Sequence, residues 1–197
     1  MRGSGDRAPP GLGAAGADST RSVAVWDPLV RVLHWSLVVA VALGWATTSW
    51  LGDWHRAVGW VALAIVVVRV AWGFVGPRRA RFSSFVRGPL VTARHARRVL
   101  AGDEPRHVGH NPLGAWMIVA LLLVVVGLAF TGWLYNTERF WGDETVEQVH
   151  LGLAWAIVAL AAAHVAGVVA AAFRHRENLV AAMLDGRKRA PRDGDID

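Results

Sequence analysis

Residues 148–173 read QVHLGLAWAIVALAAAHVAGVVAAAF, a run with no formal charge beyond what His150 and His164 gain on protonation. It is longer than the ~20 apolar residues a helix needs to cross bilayer hydrocarbon. At about 100° per residue, the offset from His150 to His164 brings both to within ~40° of one face. At about 1.5 Å rise per residue it separates them by about 21 Å. One helix therefore carries two imidazoles on one side at two depths. Polar groups at membrane depth are costly and usually functional.

Three more stretches have the same character. Residues 32–52 carry no formal charge, residues 57–77 are interrupted only by Arg69, and residues 107–137 are uncharged apart from possible protonation of His107 and His110. The expected spans are about 29–50, 55–76, 112–134 and 148–173. The fold class is all-α, an integral membrane four-helix bundle. Residues 1–22, rich in Gly, Ala and Pro, have no apolar periodicity and read as a disordered tail without a conventional signal peptide. Residues 23–185 form the membrane domain, and 186–197 a charged C-terminal tail.

Composition agrees. Of 197 residues, 54% are hydrophobic and 18% charged, and mean hydropathy is +0.34, against the usual quarter charged in soluble domains. The absence of cysteine excludes disulfides, iron–sulfur clusters, thiolate zinc sites and covalently attached haem. The net charge of +6 raises nucleic acid as a partner, but the placement of the charges argues against it. Arg78, Arg79, Arg81, Arg87, Arg94, Arg97, Arg98 and Arg106 lie between the second and third spans. Arg174, Arg176, Arg187, Lys188, Arg189 and Arg192 follow the fourth, and Arg2, Arg7, Arg21 and Arg31 precede or open the first. These segments share one side of a four-span topology, so both termini and the long loop are expected in the cytoplasm. The opposite face, with Asp53, Glu138, Asp143, Glu144 and Glu147, is acidic. The 11 tryptophans suggest interfacial belts: Trp50, Trp54, Trp133 and Trp141 outside, Trp26, Trp72 and Trp116 inside. Residues 89–100 (PLVTARHARRVL) suit a short interfacial helix or a solvated loop.

His95, His107 and His175 fall in the loop or tail and read as surface residues. His34 opens the first span from inside and His55 opens the second from outside. By depth, His34 matches His164 and His55 matches His150. Two imidazoles from facing helices in an apolar bundle suit a haem held from both faces. Zinc fits less well, for want of carboxylates at depth, although Asp53 and Glu147 keep an outer metal site open. Structural histidines bridging helices are the plain alternative. Arg69, 14 residues after His55, is expected at the depth of the inner pair, facing a haem propionate or a quinone head or snorkelling to the inner surface. Arg78, Arg79, Arg81, His110 and Asn111 form a second candidate cluster for propionates or a quinone head.

The segment Val25-Trp26-Asp27-Pro28 through Arg31, His34 and Trp35 resembles the start of a bacterial b-type cytochrome family that includes cytochrome b561 and the cytochrome b subunit of nickel–iron hydrogenase. His55-Arg56-Ala57-Val58-Gly59, Arg69-Val70-Ala71-Trp72-Gly73 and Gly76-Pro77 resemble its second helix. Ala80-Arg81-Phe82 and Gly109-His110-Asn111-Pro112-Leu113-Gly114 resemble its loop and third-helix start, and His150 and His164 its fourth helix. The resemblance covers about residues 23–185. It implies two non-covalent b-type haems, ligated by His34 with His164 and His55 with His150, and electron exchange with quinone in the inner membrane. Hydrogenase-type members usually carry an additional transmembrane helix, from which four spans depart. The expected function is a relay between membrane quinone and an external redox protein of a respiratory chain. The rivals are a superoxide:quinone oxidoreductase acting alone, a cytochrome subunit of a hydrogenase or other dehydrogenase complex, and a non-redox membrane anchor.

Overall fold

The computed structural model describes residues 22–48, 52–192 and 194–196. The expected N-terminal tail up to residue 21, and Trp50, lie outside the described residues. The chain runs β1 (Ser22–Ala24), α1 (Pro28–Ala46), α2 (Gly52–Val75), a 3-10 turn (Arg78–Ala80), α3 (Phe82–Phe85), α4 (Pro89–Leu100), α5 (Pro112–Tyr135), α6 (Glu144–His175), α7 (Leu179–Asp185) and β2 (Arg187–Arg189). Helices α1, α2, α5 and α6 are long and apolar enough to cross a membrane. The possible short helix over 89–100 forms as α4.

Local chemistry sets the helix starts. Asp27 accepts from the Val30 amide at 3.1 Å with Pro28 in the first turn, and Asn111 accepts from the Gly114 amide at 2.6 Å with Pro112 following. Asp143 accepts from the Val146 amide at 3.0 Å, which starts α6 earlier than expected. Each cap satisfies an amide that has no partner within its helix. At its end, α1 stops at Ala46, short of the expected boundary, and the Thr47 hydroxyl donates to the Leu43 carbonyl at 2.7 Å.

Packing runs α1 on α2, α2 on α5 and α5 on α6. The buried core is Ala40, Ala62, Val66, Leu122, Val125 and Ile157. Outward-facing apolar residues such as Val67, Leu123, Phe130, Leu151 and Val165 are exposed, as lipid-facing positions should be. Trp54, Trp116, Trp133 and Trp141 are exposed, consistent with interfacial positions. Trp26 and Trp72 instead turn inward. The Trp72 indole donates to Asp27 at 3.1 Å, and Trp26 meets the His110 ring at 4.6 Å and the Lys188 ammonium at 5.6 Å.

The described basic residues of the long loop and the C-terminal segment meet at one end of the bundle, where Arg31 also donates to the Leu184 carbonyl. β1 pairs antiparallel with β2, Val23 opposite Lys188. The charged C-terminal segment is thus strapped beneath the helices. Arg106, with a side chain 5% exposed, holds it there. Its guanidinium donates to Glu177 and Asp195, each at 2.6 Å, and to the Arg189 carbonyl at 2.9 Å. The Lys188 ammonium donates to the Val108 carbonyl at 3.1 Å. At the other end Arg56 pairs with Asp53 and donates to Asn136 at 3.2 Å, tying the two outer turns together.

Burial opposes the charge on Glu177, but Arg106 and Lys188 hold its carboxyl below the ordinary value. A carboxyl depressed on folding stabilises above its unfolded pKa, and that contribution is lost as pH falls through the lowered value. The strap should therefore stay docked at neutral pH and loosen below about pH 4, the ordinary carboxylate range. Hydrogen exchange at Arg187–Arg189 measures this. Arg106→Ala removes the closest charged partner of both Glu177 and Asp195 and leaves them only the longer ion pairs with Lys188 and Arg189, each at 3.8 Å, so the loss should fall below the ~3–5 kcal/mol of a fully broken buried pair. The substitution should speed exchange in β2 at neutral pH.

Candidate functional site

On α6, His150, Ile157 and His164 repeat every seventh residue, and so do His55, Ala62 and Arg69 on α2. Residues seven apart share a helix face to within about 20°. Ile157 and Ala62 belong to the buried core, so the faces that carry the histidines turn inward.

The outer pair joins α2 to α6. The His55 and His150 ring centres are 6.1 Å apart with their planes at 74°. His55 Nδ1 is 3.0 Å from the Gly44 carbonyl oxygen. A carbonyl only accepts, so Nδ1 carries the proton and Nε2 keeps its lone pair. His150 Nδ1 is 2.9 Å from the Thr131 hydroxyl, which itself donates to the Gly127 carbonyl at 2.8 Å. That hydroxyl's proton is committed, so it accepts from Nδ1–H, and His150 Nε2 also keeps a lone pair.

The inner pair joins α1 to α6. The His34 and His164 ring centres are 6.4 Å apart with their planes at 53°. His34 Nδ1 is buried without a hydrogen-bond partner, a state most buried polar atoms avoid. Both depth pairings expected from the sequence are present. Each offers two imidazoles from facing helices, a donor set able to hold a metal from both sides. Among the described residues, no carboxylate joins either pair at metal-binding distance.

Arg69 is buried beneath the loops at the basic end. It is 7% exposed, its guanidinium carbon lies 4.9 Å from the centre of the Phe82 ring, and Nη1 is 3.5 Å from the Ala80 carbonyl. Its nearby charged and titratable neighbours include Asp27 and His110, so it faces the basic end of the bundle. Gly73, one turn on, leaves room for the Phe82 ring, which occupies the place a Cβ would take.

The second candidate cluster is largely committed to structure. Arg79 and Arg81 each donate to a backbone carbonyl at 2.6 Å, Ala24 and Gly76 respectively. Asn111 caps α5. His110 packs between Trp26 and Phe85. Although part of its surface stays accessible, desolvation, with Arg69 and Lys188 adding, pushes its imidazole down to about 3. It is neutral at physiological pH and supplies no cation. Sequence reasoning missed Thr131 and Gly44, the partners of the outer rings. Thr131 is one of few hydroxyls in its apolar run, which is the one signal that pointed to it. The loop and tail histidines also differ from expectation: His95 is only 6% exposed and packs against His107, ring centres 5.0 Å apart.

A family model described as prokaryotic cytochrome b561 matches residues 25–186. A probable Ni/Fe-hydrogenase B-type cytochrome subunit of Rhizobium leguminosarum bv. viciae is 23% identical over 216 residues, covering 85% of this chain and 89% of the relative. No solved structure matches. Because the family match takes in all four membrane helices and both histidine pairs, the chain belongs to the prokaryotic cytochrome b561 family, whose members are multi-pass membrane proteins that bind b-type haem and carry electrons across the membrane.

Proposed function

We propose that this protein is a di-haem b-type cytochrome that relays electrons between the quinone pool and a redox protein on the periplasmic face of a bacterial inner membrane. His34 and His164 ligate the inner haem, and His55 and His150 the outer. The spacing of the rings carries this reading. A ring nitrogen ~1.1 Å from its ring centre, with a metal–imidazole bond of about 2.0 Å on each side, sets two centres about 6.2 Å apart. The two pairs stand at 6.1 and 6.4 Å. The free Nε2 atoms of the outer pair and the unpartnered Nδ1 of His34 add support.

When bound, haem supplies reversible one-electron exchange at its iron. The chain does the rest. Gly44 and Thr131 fix the tautomers of the outer rings and keep Nε2 available. Ile157, Ala62 and Val66 fill the space between the two levels and exclude water. Arg69 is held by one long bond to Ala80, which leaves guanidinium donors for a carboxylate, and an inner-haem propionate has that chemistry. An apolar groove of about 510 Å³, lined by Val70, Phe74, Phe82, Val86, Trp116 and Leu122 among others, supports quinone entry from the bilayer beside Arg69. The positive-inside rule supports placing the basic strap in the cytoplasm. The acidic segment from Glu138 to Glu147 then faces the external partner. The name of the Rhizobium relative, a subunit of a larger redox enzyme, supports such a partner.

The reduced-minus-oxidised spectrum and the haem-to-protein ratio test the reading. Wild type should carry two b-haems per chain. His34→Ala or His164→Ala should remove one and His55→Ala or His150→Ala the other. A haem-free wild type that still inserts in membranes would leave only an anchor. Reduction of the purified protein by superoxide, with no partner present, would instead make the chain an oxidoreductase in its own right.

Thr131→Val should keep the fold and free the His150 ring. Loss of such an orienting bond typically weakens metal affinity about 10–100-fold. The outer haem should exchange into apomyoglobin faster, with the inner unaffected.

A further inference from the structure

We propose that His95, Glu104 and His107 form a second metal centre, at the basic end of the bundle, for a divalent transition-metal ion of the zinc class. One ligand atom from each lies within 4.8 Å of the others. His95 Nε2 is 3.3 Å from Glu104 Oε1, yet it is buried and makes no hydrogen bond. The His95 and Glu104 side chains are 6% and 5% exposed. A buried imidazole nitrogen within 3.3 Å of a buried carboxylate oxygen but not aligned to hydrogen-bond it leaves room for a cation that both would ligate.

The surrounding groups act as supports for such a site. His107 Nδ1 is 3.1 Å from the Pro105 carbonyl oxygen, so it carries the proton and leaves Nε2 as a donor atom. Asn111 donates to Glu104 Oε1 at 3.2 Å and Arg174 to Oε2 at 2.8 Å, which fixes the carboxylate plane as outer-shell partners do. His175 Nε2 lies 4.0 Å from Oε2, beside the three-residue group, and water would complete the coordination. Bonds of about 2.0–2.2 Å in a tetrahedron bring donors to about 3.4 Å, so closure needs less than about 1 Å of movement per group. Two imidazoles and one carboxylate suit zinc and its neighbours, whereas magnesium and calcium prefer all-oxygen sites. The ion would tie α4 to the connection that enters α5, away from the haem-pair histidines.

The test uses haem-loaded protein in detergent, stripped of loose metal with a chelator and equilibrated with Zn²⁺, with Mg²⁺ and Ca²⁺ as controls. Metal per chain is read by mass spectrometry, and the haem spectrum reports folding. Wild type should bind one zinc and neither control ion. Glu104→Gln, His95→Ala and His107→Ala should each weaken binding tenfold or more with the haem spectrum intact. In wild type, zinc should also slow amide exchange along α4 and residues 101–108, a readout that needs no variant. A wild type that binds no zinc, variants that keep it undiminished, or unchanged exchange at saturating zinc would overturn the proposal.

Discussion

An imidazole at membrane depth has no water to bond, so whatever meets it must come from another helix or from a bound group. That constraint organises this bundle. Helix α6 repeats His150, Ile157 and His164 on one face, and the rest of the molecule answers that repeat level by level. His55 answers at the outer level, the aliphatic core around Ile157 in the middle, and His34 at the inner level. The same seven-residue spacing on α2 sets Ala62 at the core and Arg69 one level beyond it. The proposed relay needs sites at separate depths with dry protein between them, and this repeat would supply that arrangement.

The basic end is built differently. There the chain uses arginine as structure more than as surface charge. Arg106 is buried among Glu177, Asp195 and the Arg189 carbonyl, and Arg79 and Arg81 are spent on backbone carbonyls. A buried guanidinium keeps its charge and offers donors in several directions, so one residue can gather several turns of chain. The result is a cap in which β1, β2 and the loops close over Arg69 and His110. Polar residues that read as a binding surface are largely consumed in holding that cap.

Much of the helical framework was legible because apolar length is a local property. The four spans and the possible helix over 89–100 were visible in the sequence, whereas the caps at Asn111 and Asp143 emerged only in the structure. The depth match of the histidine pairs was legible as well, since helical rise converts sequence offset into distance. The end of α1 and the start of α6 were less so, because they depend on the Thr47 hydroxyl donating to the Leu43 carbonyl and on Asp143 accepting from the Val146 amide.

The sequence by itself determined a helical membrane bundle with histidines at two depths, though not the small β1–β2 pair, because hydrophobic length and a rise of about 1.5 Å per residue leave little choice for the spans. Only the tertiary structure decided which atoms of those rings are free. That depends on the Gly44 carbonyl and the Thr131 hydroxyl, neither close in sequence to the ring it holds. It alone showed that Arg69 turns toward Ala80 and Phe82, that Trp26 and Trp72 face inward, and that His95 is buried against Glu104 and His107. The reason is physical: a side chain's surroundings are set by non-local packing, which spacing along one chain segment does not encode.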